Sequence, residues 1–229
     1  MSERTVTTHP SPAAGRSTLA LLQRIPIFAS LSEVQLGQLA RMAVPRKAPR
    51  HATIVRAGDS TDSLFVIVSG SAKVLNRDEE GREVILTLLG AGECFGEMGL
   101  IDGSPRSADV ITDEVCELLM IAKRDFLAAL ADNFDLCLNI MRSLVLRLRE
   151  ANRKIESLAL MDVYGRVAKL LLDFSVEENG RRVIRRKVSK QDMAKMVGAS
   201  REMVSRVMKD LEGRGYIRVE PGCIVLNAD

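Results

Sequence analysis

Between Asp135 and Leu160 the chain runs for 26 residues without a proline or a glycine. At four-three spacing, Cys137, Met141, Leu144, Leu148, Ala151, Ile155 and Leu158 are all apolar. Asn139, Arg142, Arg147, Arg149, Glu150, Asn152, Arg153, Lys154 and Glu156 stand between them. A helix places such a row on one side as a narrow seam. At 1.5 Å per residue the helix reaches about 39 Å, longer than most helices of globular proteins. A narrow seam on a long, charged helix suits a second copy of itself. The other arrangement is one long helix lying on its own domain. The strict heptad spacing favours pairing.

The two flanks of this helix differ in kind. Upstream, Ser32-Glu33-Val34-Gln35 is a capping box that starts a helix through Met42, after a short helix over Thr18–Arg24. Residues 1–16, rich in Thr, Ser, Pro and Ala, read as a disordered tail. From His51 to Ile121 short apolar runs recur at Thr53–Val55, Leu64–Val68, Ala72–Leu75, Val84–Leu89, Ala108–Ile111 and Cys116–Ile121. Turn residues such as Ser69-Gly70-Ser71 and Gly90-Ala91-Gly92 separate them, which predicts an antiparallel sandwich or barrel. Lys123–Ala131 is a further short helix. Downstream, Asp162 caps a helix to Phe174, Glu177–Gly180 is a turn, and two short helices follow over Gln191–Met196 and Arg201–Leu211. A hairpin about Pro221-Gly222 ends the chain. The whole is an α+β chain: tail 1–16, β domain 17–134, long helix 135–160 and a small α/β domain 161–229.

Charge separates the flanks too. From Gly180 onward twelve basic residues face six acidic ones, although the net charge of the chain is only +3. A basic segment on a nearly neutral protein points to a polyanionic partner. Within it, Ser189 caps one helix with Asp192 closing the cap, Ala194 is small, and Gly198 supplies a left-handed turn. Val197 and Val204 close the joint, and Ser200 starts a second helix that exposes Arg201, Glu202, Ser205, Arg206 and Lys209. This is helix-turn-helix chemistry, set against the plainer reading of a two-helix hairpin with solvated charges. Arginine suits guanine O6 and N7, and glutamate accepts from cytosine N4. Arg214 and Arg218 on the hairpin are candidate phosphate contacts, or simple surface charge.

In the β domain, Gly92-Glu93-Cys94-Phe95-Gly96-Glu97-Met98-Gly99-Leu100 leads to Pro105-Arg106-Ser107-Ala108. The glycine spacing is not that of a dinucleotide-binding fingerprint, and no βαβ pattern surrounds it. Glycines on a turn expose backbone N–H groups, Arg106 offers a charged fork, Ser107 a hydroxyl, and Glu97 an acceptor for a sugar hydroxyl. These residues fit a phosphate-and-sugar cradle, or equally a glycine-rich loop with an Arg–Glu ion pair.

From about residue 19 the chain resembles the cyclic AMP receptor protein (Crp/Fnr) family of bacterial transcription regulators. Three motifs carry the resemblance: Gly96-Glu97-Met98-Gly99-Leu100 with Arg106-Ser107-Ala108; Asp162-Val163-Tyr164-Gly165-Arg166-Val167-Ala168; and Val197-Gly198-Ala199-Ser200-Arg201-Glu202-Met203-Val204-Ser205-Arg206. The resemblance implies a cyclic-nucleotide-binding β-roll of jelly-roll type, a long dimerisation helix and a C-terminal winged helix-turn-helix. It implies ribose contacts at Gly96 and Glu97, with Met98 beside them, and cyclic phosphate contacts at Arg106 and Ser107. Arg147 and Asn152 on the long helix complete the expected ligand set. The expected DNA-binding set is Ser189, Ser200, Arg201, Glu202, Ser205, Arg206 and Lys209. Arg201, Glu202 and Arg206 would read a TGTGA-like half-site of a palindromic double-stranded operator. Cyclic AMP receptors of the family usually place Thr and then Ser or Asn where this chain has Ala151 and Asn152. Ala151 has no side-chain hydrogen bond to give a base, so cyclic AMP and cyclic di-GMP both stand as effectors. RNA polymerase is the expected further partner, and the cytoplasm the expected compartment.

Other classes fit less well. A cyclic-nucleotide module without a DNA role leaves the helix-turn-helix unexplained. A cupin-like enzyme needs clustered His and carboxylate ligands, and the chain has only His9 and His51. The four cysteines are scattered, so free thiols and no metal are expected. No run of 18 apolar residues predicts a membrane span. Ligand-independent DNA binding is the remaining alternative.

Overall fold

In the computed structural model, which describes residues 18–23 and 25–227, the chain divides into two compact units. The first comprises residues up to Asn76 and Thr87–Leu146; the second comprises Arg77–Leu86 and Arg147–Asp229. The proposed tail 1–16 lies outside the described residues.

The first unit opens with a helical turn, α1, over residues 18–22, and then α2 (Glu33–Met42). The expected capping box is present: Ser32 Oγ accepts from the Gln35 N–H, and the Gln35 side chain accepts from the Ser32 N–H at 2.9 Å. Eight strands follow: β1 (Val44–Ala48), β2 (Thr53–Val55), β3 (Ser63–Ser69), β4 (Ala72–Arg77), β5 (Glu83–Leu89), β6 (Cys94–Phe95), β7 (Asp109–Thr112) and β8 (Cys116–Ala122). They form two antiparallel sheets, ordered β1-β8-β3-β6 and β2-β7-β4-β5. Helix α3 (Met98–Asp102) interrupts the glycine-rich stretch, and α4 (Lys123–Ala131) follows β8.

The period-two alternation of strands sets the layering. On β3, Leu64 and Val66 point into a core shared with the helices, while Phe65 and Ile67 point between the sheets. On β8, Leu119 and Ile121 join the helix side, and Cys116 and Leu118 the sheet side. Both strands are covered on both faces, which is why they read as nearly continuous apolar runs. Phe65 and Phe95 stack with ring centroids 5.3 Å apart. At roughly 25 cal/mol per Å², fully burying a Leu or Phe here contributes about 2–3 kcal/mol.

Helix α5 (Phe134–Leu160) is continuous over 27 residues. Its start belongs to the first unit's core: Leu136 is 0% exposed and Ile140 3%, with Leu144 packed beside them. The apolar row expected at four-three spacing is therefore split. Cys137 is half-buried, with its Sγ 3.2 Å from the Leu130 carbonyl, and Leu144 faces its own core. The rest of the row, Met141, Leu148, Ala151, Ile155 and Leu158, is exposed as a stripe, Ile155 at 65%, and Val145 is exposed beside Leu144. Asn152 occupies the position between Leu148 and Ile155 on that stripe. The split has a simple cause: a helix that must also cover a sheet gives one apolar face to its own core and offers the adjacent face outward.

The second unit contains α6 (Val163–Phe174), β9 (Val176–Glu178), β10 (Arg181–Ile184), α7 (Lys190–Val197), α8 (Arg201–Gly213), β11 (Ile217–Glu220) and β12 (Cys223–Leu226). The strands form one antiparallel sheet ordered β11-β12-β10-β9. Val167, Leu171, Ile184, Ala194, Val204 and Leu211 form its core. The sequence predicts only the β11–β12 hairpin; of the expected Glu177–Gly180 turn, Glu177 and Glu178 belong to β9, and the turn to β10 is Asn179-Gly180, both at positive φ.

Candidate functional site

The loop after β6 turns at Gly96, whose φ of +86° is natural only to glycine. A Cβ there would collide with the Arg106 guanidinium. That guanidinium is drawn inward: Nη1 donates to the Gly96 carbonyl at 2.9 Å, and Nη2 to the Ser63 carbonyl at 2.6 Å. Asp62 lies 3.6 Å from Nη2. Burial pulls the Arg106 pKa down from its ordinary value, and Asp62, Glu97 and Asp59 push the other way. The Arg106 backbone is fixed as well, its N–H donating to the Asp59 carbonyl and its carbonyl accepting from the Gly58 N–H.

Glu97 is buried beside this cation at 3% exposure and stands as the N-cap residue of α3. Met98 begins α3 and is half-exposed; Ser107 is exposed. Gly99 sits inside α3, where a Cβ would strike the Ser104 carbonyl and the Thr61 hydroxyl. The expected turn of glycines is thus a left-handed turn followed by a short helix. Gly96, Glu97 and Arg106 are brought together. Arg147 is half-buried and Asn152 exposed, both on α5 and both in the second unit. Ser63 and Asp62, which hold Arg106 from β3 and its approach, carry no signature in sequence because they stand more than forty residues from it.

The helix-turn-helix matches its expected chemistry closely. Ser189 Oγ accepts from the Asp192 N–H at 3.0 Å and donates to its carboxylate at 2.8 Å. Gly198 takes φ +64°, and Ala194 and Val197 are buried against Val204, which is fully buried. Ser200 Oγ accepts from the Met203 N–H at 3.1 Å, starting α8. Arg201, Glu202, Arg206 and Lys209 are exposed along that helix, with Ser205 half-buried. A hydrogen bond from its own backbone N–H, then one from the Ser200 hydroxyl and the charge of Arg201, hold the Glu202 carboxyl below its ordinary value. Arg214 and Arg218 are engaged by Asp210 and Glu220 at 2.9 Å each, so phosphate would have to displace a carboxylate at either.

Arg166, which the sequence places in the Asp162–Ala168 motif without assigning it a contact, is held at three points. Arg166 on α6 donates through Nε to the Val197 carbonyl at 2.8 Å, through Nη1 to the Met161 carbonyl at 2.9 Å, and through Nη2 to the Gly198 carbonyl at 3.4 Å. Lys195 on α7 is also engaged: its Nζ lies 2.5 Å from Glu83 Oε2 on the β4–β5 hairpin tip. Arg77 holds the other Glu83 oxygen at 2.8 Å. Among the described residues no cluster of three or more His, Cys, Asp or Glu side chains is placed to hold a metal. No helix there is long and apolar enough to cross a membrane.

A cyclic-nucleotide-binding domain model matches residues 45–133, and a Crp-like helix-turn-helix domain model matches residues 165–229. That pairing defines a cyclic-nucleotide-responsive, DNA-binding transcription regulator. The chain is 35% identical over 187 residues to the cAMP-activated global transcriptional regulator CRP of Haemophilus influenzae, covering 79% of this chain and 82% of the relative. It is 31% identical to the CRP-like cAMP-activated global transcriptional regulator of Mycobacterium tuberculosis, covering 90% and 94%. The solved structure of the c-di-GMP responsive global regulator CLP of Xanthomonas campestris superposes with a TM-score of 0.74 at 29% identity, covering 86% of this chain and all of that one. The chain belongs to the cyclic AMP receptor protein (Crp/Fnr) family. These relatives are transcription regulators and not enzymes.

Proposed function

We propose that the chain is a homodimeric regulator, paired along the uncovered stripe of α5, whose affinity for a palindromic TGTGA-like operator is raised by cyclic AMP bound in the β-roll. The observation that carries this reading is the buried Arg106 guanidinium set between Gly96 and Ser63, with Glu97 buried beside it. A desolvated, permanently charged fork is suited to a cyclic phosphate. Phosphate replaces the Ser63 carbonyl as acceptor, Ser107 adds a hydroxyl, Gly96 and Glu97 take the ribose, and Met98 lies at the rim. Arg147 and Asn152 on α5 complete the ligand set that the family resemblance implies. Arg201, Glu202 and Arg206 read base edges, while Ser189, Ser200, Ser205 and Lys209 meet the backbone and neighbouring groups.

The functional division follows residues 17–134, 135–160 and 161–229. The protein acts in the cytoplasm, with RNA polymerase as its further partner. Asn152 within an apolar stripe fits a pairing seam, since one polar position there fixes register at some cost in stability. A ligand shifts the population only through its differential affinity for the DNA-competent state.

Cyclic di-GMP is the second reading. It is supported by the effector named for the Xanthomonas campestris relative and by Ala151, which leaves the base without a hydroxyl partner. Calorimetry with both nucleotides, on wild type and Ala151→Thr, separates the two. Cyclic AMP is expected to bind wild type and to bind Ala151→Thr more tightly. Binding of cyclic di-GMP alone selects the second reading, and binding of neither removes ligand control by either. Gel shifts with and without nucleotide then test control: equal operator affinity in both means DNA binding is ligand-independent.

A further inference from the structure

Helix α5 ends at Leu160 and α6 begins at Val163, with Asp162 capping it through a 2.8 Å bond from the Gly165 N–H. Met161 lies in this break. Its carbonyl is outside both helical ladders and accepts from Arg166 Nη1. The same guanidinium reaches the Val197 carbonyl, on the last residue of α7, and the Gly198 carbonyl of its C-cap. A helix C-terminus leaves its carbonyls unpaired and carries partial negative charge, so an arginine there is held by both hydrogen bonding and the helix dipole. A second contact reaches the same place independently. A Cβ built on Gly198 would lie 3.4 Å from Leu158 Cδ2, so the last turn of α5 packs on the helix-turn-helix turn itself. All of these groups lie within the second unit.

We infer that Arg166 is the positioning residue that transmits the state of the α5–α6 junction to the helix-turn-helix, by tying the Met161 carbonyl to the Val197 and Gly198 carbonyls. The assignment rests on the proposed ligand control for what the junction responds to. The tie itself rests only on the three bonds. It joins two break points by one rigid planar group. A change in how α5 ends must therefore either move the turn ahead of α8 or break bonds at Arg166. Lysine cannot replace it: an ammonium is a point donor on a flexible stem and does not span two carbonyl groups in fixed geometry.

The test uses the full-length chain as wild type, Arg166→Gln and Arg166→Lys. Nucleotide affinity is measured by calorimetry with cyclic AMP and cyclic di-GMP. Operator affinity is measured on a palindromic TGTGA duplex with and without nucleotide, and folding is followed by thermal unfolding. Nucleotide affinity is expected to stay within about twofold, while the ratio of operator affinities with and without nucleotide falls at least tenfold in Arg166→Gln and is restored only partly in Arg166→Lys. An unchanged ratio in folded Arg166→Gln overturns the inference, as does full restoration by lysine. If no nucleotide or operator binds the wild type, the proposed function fails. Amide hydrogen exchange then decides the tie alone: in Arg166→Gln, faster exchange confined to residues 160–163 and 197–199 supports it. Unchanged exchange there, or an even increase throughout the second unit, overturns it.

Discussion

The two regions suited to phosphate are built in opposite ways. Near Arg106 a single cation is enclosed, 5% exposed at its side chain, and already occupied by main-chain carbonyls. On α8 several cations stand in solvent with their heads uncovered. A buried fork gives a strong, salt-tolerant contact with one small anion. Exposed cations give many weak ones, summed along a polymer and screened by salt. On the proposed function, the same chemistry would be divided between an internal site that discriminates and an external face that accumulates.

The largest expected effect breaks the enclosed half. Arg106→Leu is expected to weaken cyclic AMP binding by about 3 kcal/mol, a hundredfold or more, since it removes one partner of a desolvated charged contact. Arg106→Lys keeps charge and loses the fork, so it falls between. Calorimetry measures both, with thermal unfolding as the control for folding, and equal affinity in all three proteins would rule out Arg106 as a ligand contact. On the open half, Arg201→Ala is expected to cost about 1–3 kcal/mol at one base pair and to relax preference there, whereas Lys209→Ala lowers affinity evenly and reduces the salt slope by about one. Competition binding against half-site variants at several salt concentrations distinguishes the two behaviours; matching profiles would erase the division between reading and accumulation.

The smallest effect concerns the pair that engages α7. The hydrogen bond from Lys195 holds the Glu83 carboxyl below the usual carboxylate range, with Arg77 adding to it. A depressed folded pKa stabilises above the unfolded value of about 4.3 and loses that contribution as pH falls through the folded value. Glu83→Gln is therefore expected to cost about 0.5–1 kcal/mol at pH 7 and progressively less below pH 4. Denaturant unfolding across that range checks it, and a constant difference at all pH values would assign the loss to packing.

What sequence made legible was local. Ser32, Asp162, Ser189, Gly198 and Ser200 each act within three or four residues of themselves, and each occupies its expected place. Strand β2 matches its apolar run to the residue because a three-residue run bounded by turns has little freedom. Strand β1 was hidden by its exposed, basic, proline-containing stretch Val44–Ala48, ordered by pairing with β8 from 68 to 76 residues away. Strands β9 and β10 are short, charged and half-exposed, and their pairing with each other and with β12 carries no periodic signal. At the candidate site the residue types were readable and the partners were not. Nothing near Arg106 in sequence announces Ser63, and nothing near Arg166 announces the carbonyls 31 and 32 positions on.

Those carbonyls have one more consequence. Every acceptor that Arg166 uses belongs to the main chain, which is the same whatever letter occupies the position. On the proposed reading of α8, exchanging Arg201, Glu202 or Arg206, all exposed, leaves every acceptor of Arg166 in place. A new target would then ask only for point substitutions on one helix, with the joint behind it kept whole.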